Sequence, residues 1–143
     1  MTPKKLFCSD TMRGWRLTPS ANTLVVALHD GNEYDFRWLS LPNGTKLHRT
    51  TAGSWLGYVY APTFVVNDDG GVFLSAGRKL GMEPDRQAAR LGPRAEIVFA
   101  NASGASDYHS HERKCLYATW LDQETVIASC IRKLERFHAP SLM

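Results

Sequence analysis

The stretch Asp122-Gln-Glu-Thr-Val-Ile-Ala-Ser-Cys-Ile-Arg-Lys-Leu-Glu-Arg-Phe137 decides the fold class. Val126, Ile127, Cys130, Ile131, Leu134 and Phe137 recur at helical spacing, with Arg132, Lys133, Glu135 and Arg136 largely opposite. Asp122 is suited to cap a first turn, and the basic residues near the far end complement a helix dipole. The spacing predicts an amphipathic helix over 122–137.

Upstream of it the period shortens to two. Thr23-Leu-Val-Val-Ala-Leu-His29 is β-branched and apolar, and Glu33-Tyr-Asp-Phe-Arg-Trp38 alternates acidic or basic residues with aromatic ones. Asp30-Gly31 between them is a hairpin turn pair. This predicts a hairpin with Tyr34, Phe36 and Trp38 on one face and Glu33, Asp35 and Arg37 on the other. A second hairpin is expected at 63–66 and 72–75, joined by Asn67-Asp-Asp-Gly-Gly71. Further strands are expected over 46–51, 55–60 and 95–100, and residue types favour strand over 114–121. Pro84 at the start and Gly92-Pro93 at the stop predict a short surface helix over 84–91. Residues 107–115 read as a polar connector that follows a loop, Asn101-Ala-Ser-Gly-Ala-Ser106.

The resulting expectation is a single α+β domain spanning 1–143. The first ~100 residues form a mostly antiparallel, twisted sheet or partial barrel, and the C-terminal amphipathic helix packs on it.

A chain of 143 residues, 43% hydrophobic and 22% charged, has the length and composition of one ordinary globular domain. No apolar run approaches the roughly 18 to 20 residues of a bilayer span. Leu6-Phe7-Cys8, after Lys4 and Lys5, is too short for the apolar core of a secretion signal, so cytoplasmic residence is expected. Cys8, Cys115 and Cys130 are an odd number without a Cys-x-x-Cys pair, which suggests reduced thiols.

The formal net charge is +3. Residues 78–94 hold Arg78, Lys79, Arg86, Arg90 and Arg94 against Glu83 and Asp85, so this window carries the whole excess. Such a segment attracts phosphate or an acidic protein surface.

Asp107-Tyr-His-Ser-His-Glu-Arg-Lys-Cys115 holds the nearest approach to a metal motif. In an extended chain His109 and His111 share a face, and so does Cys115. A structural zinc site needs four ligands and a catalytic one about three with an open position. The His-x-His pair resembles half of a cupin metal motif, without the glutamate spacing, glycines or second histidine motif that would complete it. The expectation is therefore no cofactor and no metal, with His109, His111 and Cys115 as remote candidates. Nucleophile and phosphate-loop signatures are also missing: there is no Gly-x-Ser-x-Gly, and Gly77-Arg-Lys-Leu-Gly81 fits neither nucleotide fingerprint.

What remains is binding. Four tryptophans, five tyrosines and many arginines are the residue types of interface hot spots. The expected function is a non-catalytic interaction protein that acts by occupancy, as an inhibitor or adaptor, on a protein or ribonucleoprotein partner. Small accessory proteins of mobile elements have this general character. The expected contacts are Arg78, Lys79, Arg86, Arg90 and Arg94, with Trp55 and Tyr58 as apolar anchors. One alternative is a nucleic-acid module using the same segment, because Arg13-Gly-Trp-Arg16, Phe36-Arg-Trp38 and Lys46-Leu-His-Arg49 interleave cations with aromatics or apolar residues. The other is a metal-dependent enzyme using His109 and His111. The oligomeric state is not legible in the sequence.

Overall fold

The computed structural model describes residues 3–53, 62–77, 95–110, 115–130 and 133–142, with 108–110 described through the backbone alone. Among these residues the chain is all strand, without a helix. The first four strands are β1 (Met12–Leu17), β2 (Thr23–His29), β3 (Glu33–Ser40) and β4 (Thr45–Gly53). Next come β5 (Thr63–Val66), β6 (Val72–Gly77), β7 (Ala95–Asn101) and β8 (Gly104–Ser110). The last three are β9 (Tyr117–Trp120), β10 (Thr125–Cys130) and β11 (Lys133–His138). They make three antiparallel sheets, ordered β1-β2-β3-β4, β5-β6-β7-β8 and β11-β10-β9.

The predicted hairpins are present. Tyr34, Phe36 and Trp38 are buried as the alternation requires, while Glu33, Asp35 and Arg37 are half-buried on the other face. In the β2–β3 turn, Gly31 takes a φ of 103°, and Asp30 Oδ1 accepts the backbone N–H groups of Asn32 and Glu33 at 2.8 and 3.0 Å. The turn of the second hairpin lies against Trp38, whose indole N–H donates to the Gly70 carbonyl at 2.7 Å. A Cβ on Gly70 would come within 2.9 Å of that nitrogen, and its φ of 82° also demands glycine.

The second sheet is the middle layer. Every residue of β6 is buried, as are the first six of β7, so both faces of this sheet need a cover. One face, with Phe64, Val66, Val72, Leu74 and Val98, packs on Val25, Ala27, Tyr34, Phe36 and Trp38 of the first sheet. The other, with Phe73, Ile97 and Phe99, packs on Val126, Ala128, Cys130 and Phe137 of the third. Outside the first sheet, Phe7 and Leu41 pack on Leu24, Val26, Leu28 and Leu39. Side chains fasten the layers at their edges. Arg16 Nε donates to the Phe64 carbonyl at 2.8 Å, and the Thr50 hydroxyl donates to that of Asn101 at 2.7 Å.

The α+β expectation is corrected by this arrangement. Residues 122–137 form no helix: β10 and β11 pair antiparallel, with Val126 opposite Phe137 and Cys130 opposite Lys133. Val126, Ala128 and Cys130 are buried while Leu134 is 75% exposed, the parity of a strand. Asp122 does cap, but in a turn, where its Oδ1 accepts the Glu124 N–H at 2.8 Å. The loop and the polar connector after it are also corrected in part, since Gly104–Ser110 is a strand paired with β7. The helix expected over 84–91 and the strand over 55–60 lie outside the described residues. Among the described residues no helix is long and apolar enough to cross a membrane.

Cysteine chemistry needs correction too. Cys115 and Cys130, both buried, are joined in a disulfide, and Cys8 is a free, exposed thiol. Antiparallel pairing of β9 with β10 juxtaposes the two cysteines, which spacing along the chain does not reveal. The bond closes a separation of 15 residues, a loop whose cross-linking is worth about 3 kcal/mol in the chain-entropy treatment. Unfolded without reductant, the protein should therefore titrate one thiol. The Cys115→Ser/Cys130→Ser variant should lose about 3 kcal/mol in urea unfolding. Three titratable thiols in the native preparation would contradict the pairing.

Candidate functional site

At one end of the core between the first two sheets, polar side chains replace apolar ones. Glu96 follows the inward parity of Val98 and Ala100 on β7, and it is wholly buried. The Tyr34 hydroxyl donates to Glu96 Oε2 at 3.1 Å across the gap between sheets. His29, the register partner of Tyr34, sets its ring edge-on to the tyrosine with centroids 4.7 Å apart. Tyr34 and His29 are each 1% exposed. The Nδ1 of His29 accepts the Gly31 N–H at 3.0 Å, so the neutral ring carries its proton on Nε2. That Nε2 finds no hydrogen-bond partner among the described residues.

Burial pushes the His29 imidazole below its ordinary range; the Asp30 carboxylate opposes this and the Arg13 cation adds to it. Charging the ring would also turn Nδ1 from acceptor to donor and break its bond with Gly31.

The same end is where several strands terminate in register. Gly53 of β4 lies opposite Glu33. Gly77 of β6 lies opposite Ala95 of β7, which in turn lies opposite Ser110 of β8. Arg78 is bonded to Gly77, and Arg94 to Ala95. Chain continuity thus tethers both ends of the basic segment at neighbouring positions, beside the buried polar string. The segment containing Trp55 and Tyr58 departs from Gly53, the register partner of Glu33. Arg78, Lys79, Arg86, Arg90, Arg94, Trp55 and Tyr58 themselves lie outside the described residues; what is brought together is the pair of anchor points of the basic segment, Gly77 and Ala95.

The histidine pair divides similarly. His109 is in β8, opposite Glu96 in register, and His111 lies outside the described residues. Cys115 is a disulfide sulfur rather than a thiolate, which removes it as a metal ligand. No group of three or more His, Cys, Asp or Glu placed to hold a metal occurs among the described residues.

The interleaved cations are mostly committed elsewhere. Arg37 and Arg49 both donate to the Asp35 carboxylate, Arg37 from Nε and Nη2 at 3.3 and 3.1 Å, Arg49 from Nη2 at 2.9 Å. Burial alone would raise the Asp35 carboxyl, but the two guanidinium groups outweigh it and hold it below the usual range. Arg16 donates to the Phe64 and Trp15 carbonyls and lies over the Phe64 ring at 5.5 Å. Phe36 and Trp38 are core residues and offer no face for base stacking. Of that set Trp15 stays accessible, at 55% exposure, and Arg13, Lys46, Leu47 and His48 are also exposed. Sequence reading missed the Tyr34–Glu96 pair; a lone acid at an inward position of Ala95-Glu-Ile-Val-Phe-Ala100 was the signal that could have found it.

The chain was compared with protein-family models, with curated proteins and with solved structures, and none of the three gave a match.

The buried imidazole makes stability pH-dependent. Its folded pKa lies below the unfolded value of about 6.5, so its contribution is complete above that pH and is lost as pH falls below it. The thermal midpoint should decline from pH 7 toward pH 5, and the decline should flatten in His29→Gln. An equal slope in the variant would show that His29 is not the titrating group.

Proposed function

We propose that this protein is a non-catalytic interaction protein. It acts by occupancy, as an inhibitor or adaptor, on a protein or ribonucleoprotein partner at the end of the core that carries Glu96, Tyr34 and His29. The observation that supports this is the convergence of anchor points. Gly77, Ala95 and Ser110 end their strands opposite one another, so both ends of the segment with the excess of arginine start from one place. A partner offering carboxylates or phosphates suits the charge of that segment, and Arg78, Lys79, Arg86, Arg90 and Arg94 make the contacts.

The nucleic-acid reading keeps the same basic segment but loses part of its second footing, with Arg13, Trp15, Lys46 and His48 left exposed. Arg16, Arg37 and Arg49 are bonded within the fold, and Phe36 and Trp38 are buried. A protein surface is therefore the favoured partner. The compartment belongs to the same proposal: a buried disulfide favours an oxidising environment over the cytoplasm expected from the cysteine count.

Immobilised wild type and the Arg86→Glu/Arg90→Glu variant, compared on one cell lysate, test the reading. The wild type should retain a discrete stoichiometric species that salt releases, and the variant should lose it with an unchanged thermal midpoint. Retention abolished by nuclease would favour the nucleic-acid alternative. Equal retention by both proteins, or an unfolded variant, would overturn the site.

A further inference from the structure

At the other end of the β5–β6 hairpin, two cavities open on either side of one aromatic wall. Trp120, Asn67 and Gln123 line both of them. The indole is fixed: its N–H donates to the Val65 carbonyl at 3.2 Å, and its ring meets Phe99 edge-on with centroids 6.2 Å apart. The larger cavity, about 520 Å³, also runs along the C-terminal residues Ala139, Pro140, Ser141 and Leu142. Its size is that of a small-molecule site.

The charges around the two cavities differ in a way that selects a ligand. The smaller one, about 320 Å³, is lined by Asp68 and Asp122 together with Arg16. Both carboxylates serve the fold there, Asp68 accepting the Ser20 N–H at 2.9 Å and Asp122 that of Glu124 at 2.8 Å. The larger one is lined by Asp69, Glu124 and His138, with neither lysine nor arginine. Asp69 and Glu124 enter no ion pair among the described residues. A cavity lined by a fixed indole and two carboxylates that enter no ion pair among the described residues favours a nitrogen cation over an anion.

We propose that the larger cavity is a binding site for an organic cation, an ammonium or guanidinium group, held against Trp120 by Asp69 and Glu124. The cation comes either from a free amine or from a basic side chain of another molecule. The site is independent of the docking end described above, which lies at the opposite end of the second sheet.

Titration calorimetry and amide and indole NMR with agmatine, and with a short uncharged peptide bearing one arginine, test this on the full chain. Saturable binding of either probe, with a shift of the indole N–H signal that Trp120→Phe removes, is expected. Agmatine alone would point to a free amine, and the peptide alone to a side chain. Asp69→Asn and Glu124→Gln, both at exposed positions that leave the fold intact, should each weaken binding by about two- to fivefold. Binding of neither probe, equal binding of inorganic phosphate, or unchanged affinity in both variants would overturn the proposal.

Discussion

β6 and β7 bury both of their faces, and a sheet with two apolar faces is stable only under two covers. Phe73 and Phe99 on one side and Leu74 and Val98 on the other leave no surface of these strands fit for water. The first sheet provides one cover with its row of Tyr34, Phe36 and Trp38. The third must provide the other, and it does so with small inward residues, Ala128 and Cys130, filled out by Phe137 and Trp120. The disulfide then closes this cover at its edge, where the Cys115 N–H also donates to the Ser75 hydroxyl at 2.9 Å.

Within that arrangement the polar residues divide by end. The end with Glu96, Tyr34 and His29 hides titratable groups inside the core, at a cost that apolar residues in their place would avoid. Gly77 and Ala95, which flank the arginine-rich segment, are paired beside it. The far end keeps its acids at the surface, in the turns beside Trp120. Several arginines in the described strands are structural ties to Asp35 or to carbonyl oxygens. Counting cations along the chain therefore overstates how many can reach a partner.

Much of the strand pattern was legible because strict alternation with aromatic residues has one reading. Tyr34, Phe36 and Trp38 could share a face only in a strand, and Asp30-Gly31 marked their turn. Residues 122–137 were ambiguous for a geometric reason. Val126 and Cys130 are four apart, an even number that satisfies both the helical period and strand parity. Ile127 and Leu134 tipped the reading toward a helix, yet they are the half-exposed and exposed residues of this hairpin. Ala128, too small to register as a core signal, is 1% exposed. The disulfide and the buried Tyr34–Glu96 bond depend on pairings between distant segments, and nothing local announces them.

The strand assignment of β10 and β11 is tested most directly by urea unfolding of two single variants, Ala128→Asp and Leu134→Asp. A hairpin covering the middle sheet predicts that Ala128→Asp, which puts an unpaired charge among Phe73, Ile97 and Phe99, abolishes folding or costs several kcal/mol. It also predicts that Leu134→Asp, at a largely exposed position, stays within about 0.5 kcal/mol of wild type. The opposite order, with Leu134→Asp severe and Ala128→Asp tolerated, would mean that a helix lies on the sheet after all.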